Sequence, residues 1–210
     1  MAEETIAVQV PRGPGLEGWL AVGSAPRGGF VVCHPHPLYG GDMDNPVVIR
    51  ATEVAQVAGL ATLRFNFRGA GHSEGVHDKG RAEQDDVRAA MATLAARLPA
   101  GTPLGVIGYS FGAWAAAQAL RPSAPEVPLG LIAPPLGMYA FDFLASRPGR
   151  LLLVAGTQDS YCPREAVEQL AARTGASARV IEGADHFFFG KLYPMGEAIA
   201  AWMAEVIPAP

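Results

Sequence analysis

The sequence predicts an α/β fold, in which a mostly parallel sheet of about eight strands carries helices on both faces. Short apolar runs alternate with segments of helical spacing along most of the chain. That alternation is typical of parallel strands that are covered by helices on both sides. Half of the 210 residues are hydrophobic, enough for a substantial core, and the length predicts a single domain over 1–210.

Eight segments are predicted as strands because they are short, rich in apolar or β-branched residues, and bounded by turn residues. The first two are separated by "PRGPG" and are predicted to form an antiparallel hairpin at the N-terminus. The later strands alternate with helices, which indicates parallel pairing. In chain order the predicted strands are "TIAVQV", "LEGWLAVG", "FVVCH", "ATLRFNF", "PLGVIGY", "VPLGLIA", "RLLLVAGT" and "ARVIEG".

Five further segments are predicted as helices. Asn45 is the expected cap of the first, with Pro46 at the first helical position, and the second carries acids in its first turn. Ligands of such sheets bind at the carboxyl ends of the strands, so chemistry is expected just after each strand. The predicted helices are "NPVVIRATEVAQVAGL", "RAEQDDVRAAMATLAARL", "FGAWAAAQAL", "REAVEQLAART" and "MGEAIAAWMAEVI".

The composition argues against several classes of protein. The net charge is −4 and no basic run is present, which argues against a nucleic-acid partner. The N-terminus lacks the features of a signal peptide, and no apolar run approaches the ~20 residues of a membrane helix. Cys33 and Cys162 are too few for a disulfide framework and are expected to be free, buried thiols. These features predict a soluble protein of the cytoplasm.

Ser110 stands at a sharp junction of the predicted fold. It is the centre of "GYSFG", Gly108–Gly112, which follows one strand directly and precedes a helix directly. This is the context of a nucleophile elbow, where side chains at the two glycine positions would collide with neighbouring backbone. The helix N-terminus beneath the serine favours a developing oxyanion. The alternative is a tight strand-to-helix turn in which the serine is only a cap.

A serine nucleophile needs a base, and the base needs an acid that fixes its tautomer. In proteins with this elbow, the acid follows the serine and the histidine follows the acid. Asp159 stands in "TQDSYCP", after the seventh predicted strand, and His186 stands in "ADHFFFG", after the eighth. We therefore predict that Ser110, His186 and Asp159 form a triad.

Four other residues compete for these roles. Asp185 adjoins His186, but adjacent side chains rarely face each other usefully. Asp142 lies in the irregular segment after the sixth strand, a position that some enzymes use for the acid. His72 and His77 precede the serine, in the long glycine-rich loop "RGAGHSEGVHDKG", and are expected at the surface or the rim of the site.

Together these motifs resemble those of the α/β-hydrolase superfamily over nearly the whole chain. The chain looks most like the small, cap-less bacterial members, related to dienelactone hydrolases and simple carboxylesterases. The resemblance implies an α/β-hydrolase fold and a triad of Ser110, His186 and Asp159. The motifs that carry it are "HPHPLYGG" with "MDN", "LRFNFRGAGHSEG", "GYSFGAW", "AGTQD" and "GADHFF".

The sequence departs from the pattern of that superfamily at two points. Many members of the superfamily carry a lid after the sixth strand, whereas "PPLGMYAFDFLASRPG" is too short for a lid domain, so we expect an open site. Dienelactone hydrolases use a cysteine nucleophile where this chain has serine, which favours ordinary ester chemistry.

A tetrahedral oxyanion needs two hydrogen-bond donors. The first is expected to be the backbone N–H of Phe111, directly after the nucleophile, and the second to come from the loop after the third strand. In that loop Pro35 and Pro37 have no N–H. The remaining donors are His36 and Leu38, of which the position after the strand favours His36.

His34 and His36 could also suggest a metal site. A structural or catalytic metal needs three or four ligands, and no second cluster of ligands is present in the sequence. We therefore predict no metal and no cofactor. The glycine-rich loop likewise lacks the G-x-G-x-x-G spacing of a nucleotide site, and Arg68 and Ser73 are expected to brace it.

Aromatic residues near the predicted triad are candidates for an apolar substrate pocket, although core packing is an equally good explanation for them. They are Tyr39, Phe111, Tyr161, Phe187, Phe188 and Phe189.

The sequence thus predicts a serine hydrolase that cleaves carboxylic esters through an acyl-enzyme. Its expected partner is a small-molecule ester, with no nucleic acid and no membrane, and homodimerisation stays open. A thioesterase, a peptidase or a perhydrolase with the same triad is the alternative within enzymes. The alternative outside enzymes is a binding protein that keeps the fold without catalysis.

Overall fold

The computed structural model describes residues 1–121, 126–146 and 150–208, and their strands form a twisted eight-stranded sheet. The strand order is β1-β2-β4-β3-β5-β6-β7-β8, which places β5 near the middle. The strands are β1 (Glu4–Gln9), β2 (Gly15–Ala21), β3 (Gly29–Cys33), β4 (Ala61–Phe65), β5 (Leu104–Tyr109), β6 (Leu129–Ile132), β7 (Leu151–Gly156) and β8 (Ser177–Ile181).

Strand directions follow the predicted pattern. β1 pairs antiparallel with β2, and β2 pairs antiparallel with β4, whereas every later pair is parallel. All residues of β3, β4 and β7 are buried, because helices cover both of their faces. The predicted mostly parallel α/β sheet with an N-terminal hairpin is confirmed.

Five helices cover the described sheet in two layers. α1 and α5 pack on one face, and α2, α3 and α4 pack on the other, each layer with its own apolar core. The helices are α1 (Pro46–Val57), α2 (Glu83–Ala95), α3 (Phe111–Ala119), α4 (Arg164–Thr174) and α5 (Leu192–Val206).

Capping and proline residues determine where two of the helices begin. Asn45 caps α1 as predicted, since its side chain accepts the N–H of Val47 at 3.0 Å. α5 begins at Leu192, one turn before the predicted start at Met195. Pro194 then lies in the first helical turn, where its missing N–H costs nothing because no intrahelical acceptor exists for that position.

The connection between β6 and β7 contains a 3₁₀ turn at Asp142–Ser146. The predicted irregular segment ends on residues 147–149, which lie outside the described residues. No helix in the described ranges is long and apolar enough to cross a membrane.

Candidate active site

Ser110 occupies a strained turn between β5 and α3. Its backbone has a φ of 54°, a left-handed conformation that non-glycine residues rarely adopt. A Cβ atom on Gly108 would lie 2.3 Å from the carbonyl oxygen of Gly112, and one on Gly112 would lie 2.5 Å from the carbonyl oxygen of His34. Both glycines are therefore required by close backbone contacts, as the elbow predicts.

The structure brings Ser110, His186 and Asp159 into one hydrogen-bonded line. His186 Nε2 lies 3.0 Å from Ser110 Oγ, and its Nδ1 lies 2.8 Å from Asp159 Oδ2. The other carboxylate oxygen, Oδ1, accepts the backbone N–H groups of Tyr161 at 2.9 Å and Cys162 at 3.0 Å. The Asp159 side chain is fully buried, so these contacts fix the orientation of the carboxylate.

Close contact between two loops holds the histidine beside the acid. A Cβ atom on Gly156, at the end of β7, would lie 2.1 Å from the carbonyl oxygen of Ala184. The same oxygen accepts the N–H of Gln158 at 2.9 Å. The hydroxyl of Tyr109 donates to the carbonyl of His186 at 3.1 Å, which ties the histidine loop to the elbow.

The two competing acids lie away from the His186 ring nitrogens. Asp185 Oδ1 accepts the backbone N–H groups of Phe187 at 3.1 Å and Phe189 at 3.0 Å, and so shapes the turn after His186. Asp142 pairs with Arg173 at 2.7 Å, with both side chains exposed.

His72 is exposed, as predicted, but the expectation that His77 lies at the surface or rim is wrong. Only 5% of the His77 side chain is exposed, and its ring packs 4.6 Å from the ring of His36 and 5.3 Å from that of Phe111. The buried Glu83 draws this loop inward, because its carboxylate accepts the N–H groups of Asp78 and Gly80.

The backbone donors of the loop after β3 are almost all engaged. Pro35 and Pro37 have no N–H, and Leu38 donates to His36 Nδ1 at 3.2 Å. The N–H groups of residues 39, 40 and 41 donate to carbonyls of the same loop. Within residues 35–41 the His36 N–H is left without an acceptor in the described chain, and the Phe111 N–H across the site is likewise free.

His34 orients the peptide that carries this free donor. Its ring is fully buried, with Nδ1 donating to the Pro35 carbonyl at 2.6 Å and Nε2 accepting the N–H of Phe67 at 2.9 Å. A trans peptide points its C=O and N–H in opposite directions, so the bond to the Pro35 carbonyl aims the His36 N–H away from His34. Burial lowers the pKa of His34 to about 4, which keeps the ring neutral.

The His36 ring also acts on the backbone. Its Nδ1 accepts the Leu38 N–H and caps the short 3₁₀ turn Pro37–Tyr39, so this nitrogen carries no proton. Burial lowers the pKa of His36, and the neighbouring His77 ring lowers it further, both of which favour the neutral form.

Arg68 and Ser73 brace the glycine-rich loop as predicted. Arg68 Nε lies 3.0 Å from both carboxylate oxygens of the buried Asp86. Ser73 Oγ donates to the Asn66 carbonyl at 2.7 Å and accepts the N–H of Glu17 at 3.0 Å. These contacts tie the loop to β2 and α2.

An apolar pocket of about 360 Å³ opens above Ser110, and Tyr39, Tyr161 and Phe187 line it as predicted. Phe188 was predicted for this pocket as well but does not line it, because its side chain is fully buried in the core with residues of α1 and α5. Its φ of 54° turns it inward, whereas its two neighbours face outward. The sequence missed three lining residues from the irregular segment after β6, namely Pro135, Met138 and Tyr139.

Comparison with known proteins identifies the family. No protein-family model matches the sequence. An uncharacterised protein of Rickettsia prowazekii is 35% identical over 203 residues, which is 91% of this chain and 85% of that protein. A solved structure from Agrobacterium tumefaciens, of unknown function and described as an α/β hydrolase, has a TM-score of 0.88 at 32% identity, over 99% of this chain and 100% of that one. The chain belongs to the α/β-hydrolase family.

Other solved structures define the branch of this α/β hydrolase. A serine hydrolase without a lid from Xanthomonas campestris has a TM-score of 0.89 at 29% identity, covering 99% of this chain and 96% of that one. An α/β serine hydrolase homologue from Coxiella burnetii has a TM-score of 0.83 at 32% identity, covering 96% and 97%. The predicted cap-less branch is thereby confirmed, and the neighbours support a hydrolase.

Proposed function

We propose that this α/β hydrolase is a serine hydrolase that cleaves carboxylic esters through an acyl-enzyme. One observation carries the proposal, namely the continuous hydrogen-bond line from Ser110 Oγ through His186 to Asp159. A serine hydroxyl becomes nucleophilic when a neutral imidazole accepts its proton, and a carboxylate at the other ring nitrogen stabilises the imidazolium that forms.

In the first half of the reaction Ser110 Oγ attacks the ester carbonyl and its proton moves to His186 Nε2. The carbonyl oxygen becomes an oxyanion, which the free N–H groups of Phe111 and His36 stabilise. The C–O bond to the alcohol then breaks, and His186 gives its proton to the departing alkoxide. The acyl group stays on Ser110.

In the second half a water molecule takes the place of the alcohol. His186 accepts a proton from this water, whose oxygen attacks the acyl carbonyl through the same oxyanion. The carboxylic acid leaves as the proton returns to Ser110 Oγ. Asp159 holds Nδ1 in its protonated form throughout, so that Nε2 is the nitrogen that accepts and returns each proton.

The pocket supports an uncharged small-molecule ester as the substrate. Tyr39, Met138, Tyr139, Tyr161 and Phe187 form much of its wall, and no Asp, Glu, Lys or Arg side chain lines it among the described residues. A cytoplasmic location is part of the proposal. It rests on Cys33 and Cys162, which are both free and buried.

Fluorophosphonate labelling combined with hydrolysis assays tests the proposal. The wild-type chain is expected to take up one label and to hydrolyse p-nitrophenyl esters faster than matched thioesters or peptides. Ser110→Ala is expected to lose the label and to lower kcat by about 10⁶. Ser24→Ala, in the exposed connection between β2 and β3, is the matched control and should behave as wild type.

Two results would contradict the proposal. A wild-type chain that takes up no label has no activated serine, and the fold then serves another purpose. A labelled chain that prefers thioesters or peptides uses the triad for different acyl chemistry.

A further inference from the structure

A second cavity lies beside the catalytic pocket, between the start of α1 and the loop after His186. It is a groove of about 520 Å³. Pro46, Phe189 and Leu192 contribute to its wall, and among the described residues no Asp, Glu, Lys, Arg or His lines it. We call it the alcohol groove.

The groove adjoins the catalytic pocket. Asn45, Tyr109 and Phe187 line both cavities. Phe187 stands between them with 64% of its side chain exposed, and its ring lies 5.6 Å from that of His186. A substrate bound above Ser110 can therefore extend into the groove by passing Phe187 on the side of His186.

We propose that the alcohol groove binds the apolar alcohol part of the ester substrate. This inference rests on the proposed function, because it uses the direction of proton transfer. His186 gives its proton to the departing alkoxide, so the alcohol oxygen lies next to Nε2 and the alcohol chain leaves past Phe187. The acyl group lies across the serine, towards Met138 and Tyr139.

Asn45 is the polar side chain where the groove meets the catalytic pocket, and its hydrogen bonding suits an uncharged alcohol. Asn45 Oδ1 accepts the N–H of Val47 at 3.0 Å, and Nδ2 has no acceptor in the described chain. The Tyr109 hydroxyl donates to the carbonyl of His186. The groove thus offers one free side-chain donor at its entrance and apolar walls beyond it, which suits a long aliphatic or aromatic alcohol.

Two isomeric esters distinguish the alcohol side from the acyl side. Octyl acetate and ethyl octanoate have the same atoms, but the long chain lies on the alcohol in one and on the acid in the other. Each buried methylene is worth about fourfold in binding. With about three of the six additional methylenes buried in the groove, we expect octyl acetate to exceed ethyl acetate in kcat/KM by about sixtyfold.

Two variants obstruct the groove. Leu192→Trp narrows it, and Phe189→Glu places a carboxylate at its mouth, on a side chain that is 86% exposed and so tolerates the change. Both are expected to lower the kcat/KM ratio of octyl acetate to ethyl octanoate by about tenfold or more. Val57→Trp, at the exposed end of α1, adds the same ring away from the groove and should leave the ratio unchanged.

The outcomes separate the groove from the catalytic proposal. If the wild type hydrolyses ethyl acetate and neither groove variant changes the kcat/KM ratio of octyl acetate to ethyl octanoate, the alcohol groove alone is overturned. A selective fall for ethyl octanoate would assign the groove to the acyl side and also overturn it. A wild-type chain that hydrolyses no ester and takes up no fluorophosphonate overturns the proposed function, and the groove with it.

Discussion

The buried ring of His34 makes folding stability depend on pH in a predictable range. Burial holds its pKa at about 4, whereas a histidine in an unfolded chain has a pKa of about 6.5. Between these values the unfolded chain binds a proton that the folded chain does not. The contribution of the neutral His34 ring to folding stability is therefore complete above pH 6.5 and is lost as the pH falls towards 4.

The size of the effect follows from the two values. Each tenfold difference in proton affinity is worth ~1.4 kcal/mol, so the difference between the two pKa values of His34 corresponds to ~3 kcal/mol of folding free energy. About 2 kcal/mol of this should be lost between pH 7 and pH 4.5. The ring is fully buried with both nitrogens engaged, so solvent does not weaken the effect.

Urea unfolding of the wild-type chain and His34→Gln, from pH 4.5 to pH 7.5, measures this loss. The glutamine amide oxygen can accept the Phe67 N–H but binds no proton, and the other titrating groups are shared and cancel in the difference. We expect the stability advantage of the wild type at pH 7 to shrink by about 2 kcal/mol at pH 4.5. Parallel curves for the two proteins would refute the reasoning.

Two further predictions concern the catalytic line and the oxyanion loop. Asp159→Asn should lower kcat by about 10⁴ because it favours the wrong imidazole tautomer, whereas Asp142→Asn breaks only an exposed ion pair and should stay within about twofold in the same p-nitrophenyl acetate assay. A large loss for Asp142→Asn with almost none for Asp159→Asn would assign the acid to Asp142. His36→Ala removes the acceptor of the Leu38 N–H but keeps the backbone donor, so kcat/KM should fall by about tenfold or less. A loss above about 10³ would mean that the ring itself takes part.

The meeting of the triad could be predicted because each member follows a parallel strand. Ser110, Asp159 and His186 come after β5, β7 and β8, and the carboxyl ends of parallel strands lie at one edge of a sheet. The glycine positions around Ser110 could be predicted for a similar reason, since a strand that passes directly into a helix leaves no space for a Cβ atom.

The pocket wall could not be predicted in the same way. Met138 and Tyr139 lie in a segment without periodicity, so no pattern shows which side chains face the site. Phe188 belongs to three consecutive phenylalanines, and only the left-handed backbone at its position decides that it turns into the core. The inward position of His77 depends on the buried Glu83 carboxylate, which lies 2.8 Å from the His77 ring and accepts backbone N–H groups of the same loop.

The loop after β3 shows how a chain can isolate one hydrogen-bond donor. Two prolines remove N–H groups, and the His36 ring occupies the N–H of Leu38. The His34 ring holds the Pro35 carbonyl and thereby directs the opposite side of that peptide. Both rings must be neutral for these contacts, and burial lowers both pKa values. Two histidines that resemble metal ligands in the sequence therefore serve to position a single backbone N–H.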